Sequence, residues 1–324
     1  MSKLTMSCAF ATQNATPEHA RIAEELGYAR AWFYDSPALY PDVWVQLCRA
    51  ADRTKRIVLG TGVLVPHLRH PMATAAAIGT LVEAAGAHRV IVGVGSGFTA
   101  RVAMGQRPLT WAYVTQYTRT VQALLRGEDV EWEGAMIRML QWEGCTVPRP
   151  IEVPWVVAAG GPKGVAAAKE VAQGVFAVSQ PIPGFESCVV LTLGTVLDPG
   201  ESPGSTRAIE AAGHGAAVLF HYALEHRMLE MIPNGEAWKK AYEQYPQATR
   251  HLEMHHGHLV AINHTDRPFI TGELLAGGGM AMDAGAWRAR IEEMEAKGAT
   301  EVAYQPGGPD IPRELEAFAR MMRR

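Results

Sequence analysis

The sequence predicts an α/β protein folded as a TIM-type (β/α)8 barrel with insertions. Short apolar segments typical of β-strands alternate with amphipathic segments typical of helices, which is the pattern of βαβ units around a parallel sheet. Eight strand-like segments are present, and 324 residues of 48% hydrophobic composition suffice for a barrel core. A doubly wound sheet shows the same alternation, and the number of strands alone does not exclude it.

The predicted elements follow one another in a regular order. In the first helix, Thr16 suits the N-cap, Pro17 suits the first turn and Gly27 suits the C-terminal stop. Asp310 is a similar cap for the last helix. The predicted strands cover residues 4–12, 29–35, 56–64, 89–97, 152–161, 174–179, 188–198 and 299–306. The predicted helices cover residues 16–27, 41–53, 70–85, 109–127, 162–173, 283–298 and 310–322.

Two stretches exceed a minimal barrel. Residues 128–139 alternate around a Glu-Gly pair and predict a small hairpin. Residues 200–280 are mostly helix-like and too long for one crossover, so they predict an insertion within a single domain that spans residues 1–324. Because insertions in barrels lie on the loops, we expect this one to form part of a substrate or dimer surface.

Composition excludes several classes of protein. A net charge of −3 and the lack of a basic tract argue against binding of nucleic acid or an anionic membrane. The apolar runs are shorter than the roughly 20 residues of a membrane span, and the N-terminus resembles a first strand more than a signal peptide. The 4 cysteines are widely spaced, as in proteins of a reducing compartment. We therefore expect a cytoplasmic protein.

Glycines recur where the predicted strands end. They interrupt the third strand in IVLGTGVLVPHLRHP (57–71), close the fourth strand in GVGSG (93–97) and follow the fifth strand in AAGGPKG (158–164). Glycine allows the backbone to approach a flat ring or a phosphate, and the last stretch predicts an anion cradle with Lys163 nearby. The alternative is that these are ordinary turns between strands and helices.

The GVGSGF stretch (93–98) is not a dinucleotide fingerprint. Phe98 stands at the third glycine position of the GxGxxG pattern, and no acidic residue lies near position 115 to bind a ribose. A Rossmann site is therefore rejected.

Several longer stretches together resemble one family. They are RIVLGTGVLVPHLRHPMATAAAIGTL (56–81), HRVIVGVGSG (88–97), AMGQRPLTWAYVTQYTRTVQALLRGEDVEWEG (103–134), VPWVVAAGGPKG (153–164) and the tail from DRPFITGELLAGGGMA (266–281) to EVAYQPGGPDIPRELEAFA (301–319). This chain resembles the luciferase-like monooxygenase superfamily over most of its length. The GxRP at 105–108 and GPDIPRELE at 308–316 resemble the branch that uses the deazaflavin coenzyme F420.

The resemblance implies a bacterial-luciferase-like barrel with a coenzyme at the C-terminal ends of its strands. In this family the third strand carries a bulge, often with a non-prolyl cis peptide, that lies against the deazaflavin or flavin ring. The matching positions for the ring are Thr61, Gly62 and Val63. The matching positions for the ribityl and phosphate region are Gly95, Ser96, Gly97, Ala159, Gly160 and Gly161.

Two side chains are candidate catalytic groups. Asp35 ends the second strand and, with Ser36, is expected at the coenzyme; a turn cap is the alternative for Asp35. His67 follows the bulged strand and is a candidate general acid. Deazaflavin-dependent sugar-phosphate dehydrogenases carry a histidine where Ser36 stands and a glutamate where Phe98 stands. These two differences argue against that activity.

The remaining histidines do not point to a particular catalytic role. His70 precedes Pro71 at a helix start and is interpreted as structural. The run HLEMHHGH (251–258) lacks a well-placed carboxylate or cysteine, so no metal site is expected. His221, Tyr222 and His226 either line a substrate pocket or serve packing and surface roles.

The resemblance therefore predicts an oxidoreductase that transfers a hydride between coenzyme F420 and a small-molecule substrate, as a homodimer. One alternative is an FMN-dependent two-component monooxygenase served by a separate flavin reductase. Another alternative is a non-catalytic flavin-binding barrel.

Overall fold

A computed structural model describes residues 4–178 and 180–323 of the chain. Short strands of four to seven residues build the central barrel, and shorter strands lie outside it. The strands are β1 (Thr5–Phe10), β2 (Arg30–Phe33), β3 (Val58–Leu64), β4 (Val90–Gly95), β5 (Val130–Trp132), β6 (Ala135–Ile137), β7 (Trp155–Ala158), β8 (Gly174–Val178), β9 (Ser187–Leu193), β10 (Thr195–Val196), β11 (Ala281–Met282) and β12 (Glu301–Gln305).

Eight parallel strands close into a barrel in the order β1-β12-β9-β8-β7-β4-β3-β2. The closure is visible at β1, where Thr5 pairs with Glu301 of β12 and Ser7 pairs with Arg30 of β2. A doubly wound sheet is open and would not pair its first strand with its last. The pairing of β1 with β12 therefore confirms the predicted (β/α)8 barrel.

The helices surround the barrel and occupy most of the predicted positions. The short α4 lies where the sequence predicts no helix. The helices are α1 (Thr16–Glu25), α2 (Val43–Arg53), α3 (Pro71–Ala85), α4 (Phe98–Val102), α5 (Trp111–Arg126), α6 (Gly161–Val171), α7 (Thr206–Glu225), α8 (Gly235–Tyr242), α9 (Arg250–Met254), α10 (Gly272–Gly277), α11 (Ala284–Ala296) and α12 (Ile311–Arg323).

The helix boundaries test the capping predictions. Asp310 caps α12 as predicted, because its Oδ1 accepts a hydrogen bond from the Arg313 amide at 3.1 Å. The prediction for Thr16 is wrong. Thr16 is already helical, and its hydroxyl accepts a hydrogen bond from the Gln13 amide at 2.7 Å outside the helix.

The seventh predicted strand, 188–198, is one strand in the sequence analysis and two in the structure. β9 ends at Leu193, and after Gly194 the chain leaves the barrel to pair as β10 with β11. Gly194 has a φ of +137°, and a Cβ at this position would lie 2.5 Å from the Met280 carbonyl oxygen. Glycine therefore permits both the turn and the close approach of the backbone.

The predicted hairpin at 128–139 is present. β5 and β6 pair antiparallel, and the turn residues Glu133 and Gly134 both have positive φ. This backbone conformation is that of the tight turns preferred in two-residue hairpins.

Two apolar cores hold the barrel together. One lies between the barrel wall and the helices, and the other fills the barrel interior. In the interior Trp32 meets Phe176 edge to face, with 5.2 Å between the ring centroids. The interior is thus packed with side chains, and in barrels of this kind a site forms at the C-terminal rim.

Residues 200–280 carry α7 to α10 and form a third apolar core around Phe220 and Trp238. This insertion is attached to the C-terminal end of the barrel. The Tyr40 hydroxyl donates to the His258 carbonyl at 2.8 Å, and the Gln305 side-chain amide donates to the Leu259 carbonyl at 3.4 Å. Among the described residues, no helix is long and apolar enough to cross a membrane.

Candidate active site

The residues predicted for the site lie together on one part of the C-terminal rim. They belong to β2, β3, β4 and β7, which are consecutive neighbours in the barrel, or to the segments directly after them. The residues are Asp35 and Ser36 after β2, Thr61, Gly62 and Val63 within β3, His67 after β3, Gly95, Ser96 and Gly97 at the end of β4, and Ala159, Gly160 and Gly161 after β7.

The predicted bulge in β3 is confirmed. Thr61 pairs with Val92 and Leu64 pairs with Val94, so β3 holds one extra residue between these two pairs. The Gly62–Val63 peptide bond within this stretch is cis. The Thr61 hydroxyl donates to the Gly93 carbonyl at 2.7 Å and accepts from the Gly93 amide at 3.1 Å, so this side chain ties the bulge to β4.

The glycines of β4 make room for the bulge of β3. A Cβ at Gly95 would lie 2.8 Å from Val63 Cγ2, and a Cβ at Gly93 would overlap the Thr61 carbonyl oxygen. Because side chains and backbone of β3 fill these spaces, the glycines are required for strand packing.

The glycines after β7 are different. No atom lies within 4 Å of the position of a Cβ at Gly160 or Gly161, and both residues are exposed. Gly160 is the N-cap of α6, and no side chain accepts from the first amides of this helix. The exposed Lys163 lies in the first turn. Free amides and the helix dipole make such an end suitable for an anion.

Asp35 is buried and fully occupied by protein partners. Both of its carboxylate oxygens accept from Arg69 Nη1, at 3.0 and 2.9 Å, and Oδ2 also accepts from the Val65 amide at 3.3 Å. Burial raises the pKa of the Asp35 carboxyl, and the Arg69 cation opposes this shift. Asp35 therefore fixes the segment that follows the bulge.

Arg69 is a site residue that the sequence analysis missed. Its Nη2 also pairs with Asp42 at 2.7 Å, and its carbonyl accepts from the Tyr117 hydroxyl at 3.0 Å. The order of the strands could have predicted this ion pair. Adjacent parallel strands bring the loop after β3, which holds Arg69, beside the acidic residue at the end of β2.

The two predicted serines make backbone contacts at the rim. The Ser36 carbonyl accepts from the Leu39 and Tyr40 amides at 2.8 and 2.9 Å. The Ser96 carbonyl accepts from the Leu109 amide at 2.9 Å, which places the start of α5 against the end of β4.

His67 lies in a 3-10 turn after β3 and is half-buried. Its Nδ1 has no hydrogen-bond partner among the described residues. Burial lowers the pKa of His67, and the Arg101 cation lowers it further. The neutral form of the imidazole is therefore favoured at neutral pH. His70 caps α3, as its Nδ1 accepts from the Met72 amide at 3.2 Å.

The structure brings His221 together with two histidines of the run at 251–258, which the sequence analysis considered apart from it. One ring nitrogen from each of His221, His255 and His258 lies within 4.8 Å of the other two. Burial lowers the pKa of His221 to about 3 and that of His258 well below its usual value. Tyr222 and His226 instead stack on each other at 4.0 Å, with Tyr222 exposed. The cluster forms because the fold places α7 beside the segment after α9. The run of histidines at 251–258 does not by itself reveal this arrangement.

A bulged parallel barrel with glycine-rich loops on its C-terminal rim is typical of enzymes. A family model described as Luciferase-like monooxygenase matches residues 6–188, more than half of the chain. The chain therefore belongs to the luciferase-like monooxygenase family, whose members are oxidoreductases.

Curated relatives match part of the chain. A 5,10-methylenetetrahydromethanopterin reductase from Methanolobus tindarius is 34% identical over 176 residues, which are 53% of this chain and 52% of the relative. An F420-dependent glucose-6-phosphate dehydrogenase from Intrasporangium calvum is 32% identical over 164 residues, 45% of this chain and 48% of the relative. The chain thus spans about half the length of the curated relatives that it matches.

Solved structures show the same fold over the whole chain. The coenzyme F420 dependent tetrahydromethanopterin reductase from Methanopyrus kandleri has a TM-score of 0.68 at 19% identity, covering 99% of this chain and 98% of that chain. An F420-dependent secondary alcohol dehydrogenase in complex with an F420-acetone adduct has a TM-score of 0.65 at 16% identity, with the same coverage.

Proposed function

We propose that this protein binds coenzyme F420 and transfers a hydride between it and a small organic substrate. The observation that carries the proposal is the presence of two features on one rim, after strands that are separated only by β4. They are the β3 bulge, which presents backbone at Gly62–Val63, and the open, uncapped N-terminus of α6 after β7. Relatives named as F420-dependent enzymes support the choice of coenzyme.

The chain offers fitting groups for both ends of such a coenzyme. The half-buried Gly62–Val63 segment offers a flat backbone surface to a ring. Gly160 and Gly161 leave open space beside the first amides of α6, where a phosphate would be bound without displacing a side chain. When bound, the deazaflavin supplies the hydride-transferring carbon C5, and the protein supplies position and exclusion of water.

The side chains of the rim then divide into two roles. Asp35 is a positioning residue, because it holds Arg69 and the Val65 amide and so fixes the backbone after the bulge. His67 is the candidate to hold or accept a proton at its unpartnered Nδ1.

The proposed substrate class rests on two residues of the rim and on the requirements of hydride transfer. Ser36 and Phe98 replace the histidine and glutamate expected in sugar-phosphate dehydrogenases, so we infer a substrate other than a sugar phosphate. Enones, imines and secondary alcohols are the small molecules whose reduction or oxidation needs a hydride and one proton. A homodimer is part of the proposal, and size-exclusion chromatography with light scattering tests it.

The decisive experiment is a titration of purified protein with coenzyme F420 and, separately, with FMN, followed by cofactor fluorescence. Tight binding of F420 alone supports the proposal, and turnover of a reducible or oxidisable substrate then excludes a non-catalytic barrel. Preference for FMN overturns the proposal in favour of a two-component monooxygenase with a separate flavin reductase, and oxygen consumption becomes the assay.

A further inference from the structure

The histidine cluster, defined as His221, His255 and His258, lies in the insertion and takes no part in the proposed hydride transfer. His221 projects from α7, whereas the other two follow α9. The centroids of the three rings are 5.1 to 5.4 Å apart. Elements distant in sequence thus bring three imidazoles to one point.

The cluster contains buried nitrogens without partners. Both ring nitrogens of His221 and Nε2 of His258 have no hydrogen-bond partner among the described residues, and His258 is only 8% exposed. Buried polar atoms are almost always hydrogen-bonded, so several unpartnered nitrogens at one point favour the binding of an ion or a polar ligand there.

His255 shows the arrangement of a metal ligand. Its Nδ1 donates to the His251 carbonyl at 2.7 Å, which fixes the tautomer and leaves the lone pair on Nε2. Histidines that bind metal ions usually donate their second ring nitrogen in this way.

We propose that the histidine cluster binds a divalent transition-metal ion of the Zn²⁺ class through one nitrogen of each imidazole. Neutral imidazole donors suit Zn²⁺, Ni²⁺ or Cu²⁺, whereas Mg²⁺ and Ca²⁺ prefer oxygen. Nitrogens that share a tetrahedral zinc are about 3.3 Å apart, because each Zn–N distance is about 2.0–2.1 Å. The present separations are at most 4.8 Å, so binding of the ion requires the rings to approach one another by up to about 1.5 Å. A water molecule completes the tetrahedron.

The bound ion would join α7 to the segment that covers the barrel. The His258 carbonyl accepts from Tyr40, and the neighbouring Leu259 carbonyl accepts from Gln305 at the end of β12. The metal would therefore tie α7 to the part of the insertion that contacts the C-terminal rim, and its binding stabilises the folded chain.

The test uses the full chain stripped with EDTA and titrated with Zn²⁺ by calorimetry, with bound metal counted by mass spectrometry. We expect one Zn²⁺ per chain with a Kd below about 1 μM and a rise in Tm of about 4 °C at saturating zinc. The His255→Gln and His258→Gln variants should lose at least about 100-fold in affinity. His256→Gln is the matched control, since His256 is an exposed neighbour outside the cluster.

Two results would overturn the proposal: no stoichiometric zinc in the wild-type chain at micromolar concentration, or equal loss of zinc in His256→Gln. If the cluster variants fail to fold, the wild-type chain still decides. Its zinc absorption-edge spectrum must then show three nitrogen ligands from imidazole, and any sulfur ligand or histidine count below three refutes the site.

Discussion

The glycines of β3 and β4 and the glycines at the start of α6 look alike in sequence and differ in structure. At Gly93, Gly95 and Gly97 the space of a Cβ is filled by the β3 bulge and by the residue Val65 that follows it. At Gly160 and Gly161 that space is open. The first group therefore serves packing within the protein, and the second group is available to a ligand.

A glycine at another strand end belongs to the packed kind. A Cβ at Gly307, just after β12, would overlap the ring of His214 on α7, which is 1% exposed. The comparison shows that a glycine at a barrel rim can make room either for a neighbouring part of the protein or for a ligand. Only the surrounding residues in the structure distinguish the two cases.

The largest expected effect is that of Gly93→Ala. The new methyl group would overlap the Thr61 carbonyl oxygen, a backbone atom that cannot rotate away. We expect a loss of about 3 kcal/mol in the free energy of unfolding, measured by urea denaturation. A loss below about 1 kcal/mol would show that the β3 bulge can shift to accommodate a methyl group. Gly93 would then not be required for packing.

The next effect concerns His214, the side chain packed on Gly307. Burial lowers its pKa to about 4 from the usual 6.5. The unfolded chain therefore binds a proton that the folded chain does not, so the stabilising contribution is complete above pH 6.5 and is lost as pH falls toward 4. At pH 5 the loss is about 2 kcal/mol relative to pH 7.5.

His214→Leu should remove this share of the acid sensitivity. In protein kept metal-free with EDTA, the difference in unfolding free energy between pH 7.5 and pH 5 should shrink by about 2 kcal/mol relative to wild type. His88→Leu serves as a control, because it is the same change of residue type at an exposed position. An unchanged slope in His214→Leu would mean that His214 titrates normally when folded.

Most of the fold was predictable because it depends on local pattern. Apolar strands, amphipathic helices and caps such as Asp310 are encoded within a few residues, and the barrel follows from the repeated alternation of strands and helices. The prediction failed at Gly194, where the alternation of apolar residues continues from β9 into β10. Pairing with β11, almost 90 residues later in the chain, decides that break, and Gly194 alone does not specify this partner.

The site was predictable in position and less so in its partners. Family resemblance located the β3 bulge and the β7 loop, which the structure brings onto one rim. Whether Asp35 faces a ligand or Arg69, and whether His221 meets His258, depends on contacts across 34 and 37 positions. Composition and spacing do not contain this information.

The third effect tests the open glycines as a phosphate site. Gly160→Asp and Gly160→Asn place equally shaped caps on α6, and both should leave stability within about 0.5 kcal/mol of wild type. The aspartate adds a negative charge next to the proposed phosphate, so F420 affinity should be about tenfold lower than in Gly160→Asn, by fluorescence titration. Equal affinities would exclude a phosphate at this helix end. A variant at Gly62 is less informative, because a Cβ there would lie 2.9 Å from the Trp32 side chain.

The smallest effect is the one that separates the two glycine groups most directly. Gly160 has a φ of −137°, which any residue adopts, and nothing lies within 4 Å of its missing Cβ. Gly160→Ala should therefore change the free energy of unfolding by less than about 0.5 kcal/mol, against the large loss in Gly93→Ala. Urea denaturation of both variants in one experiment makes the comparison. If Gly160→Ala is as destabilised as Gly93→Ala, the α6 glycines are also packing residues, and their role in binding a coenzyme must be abandoned.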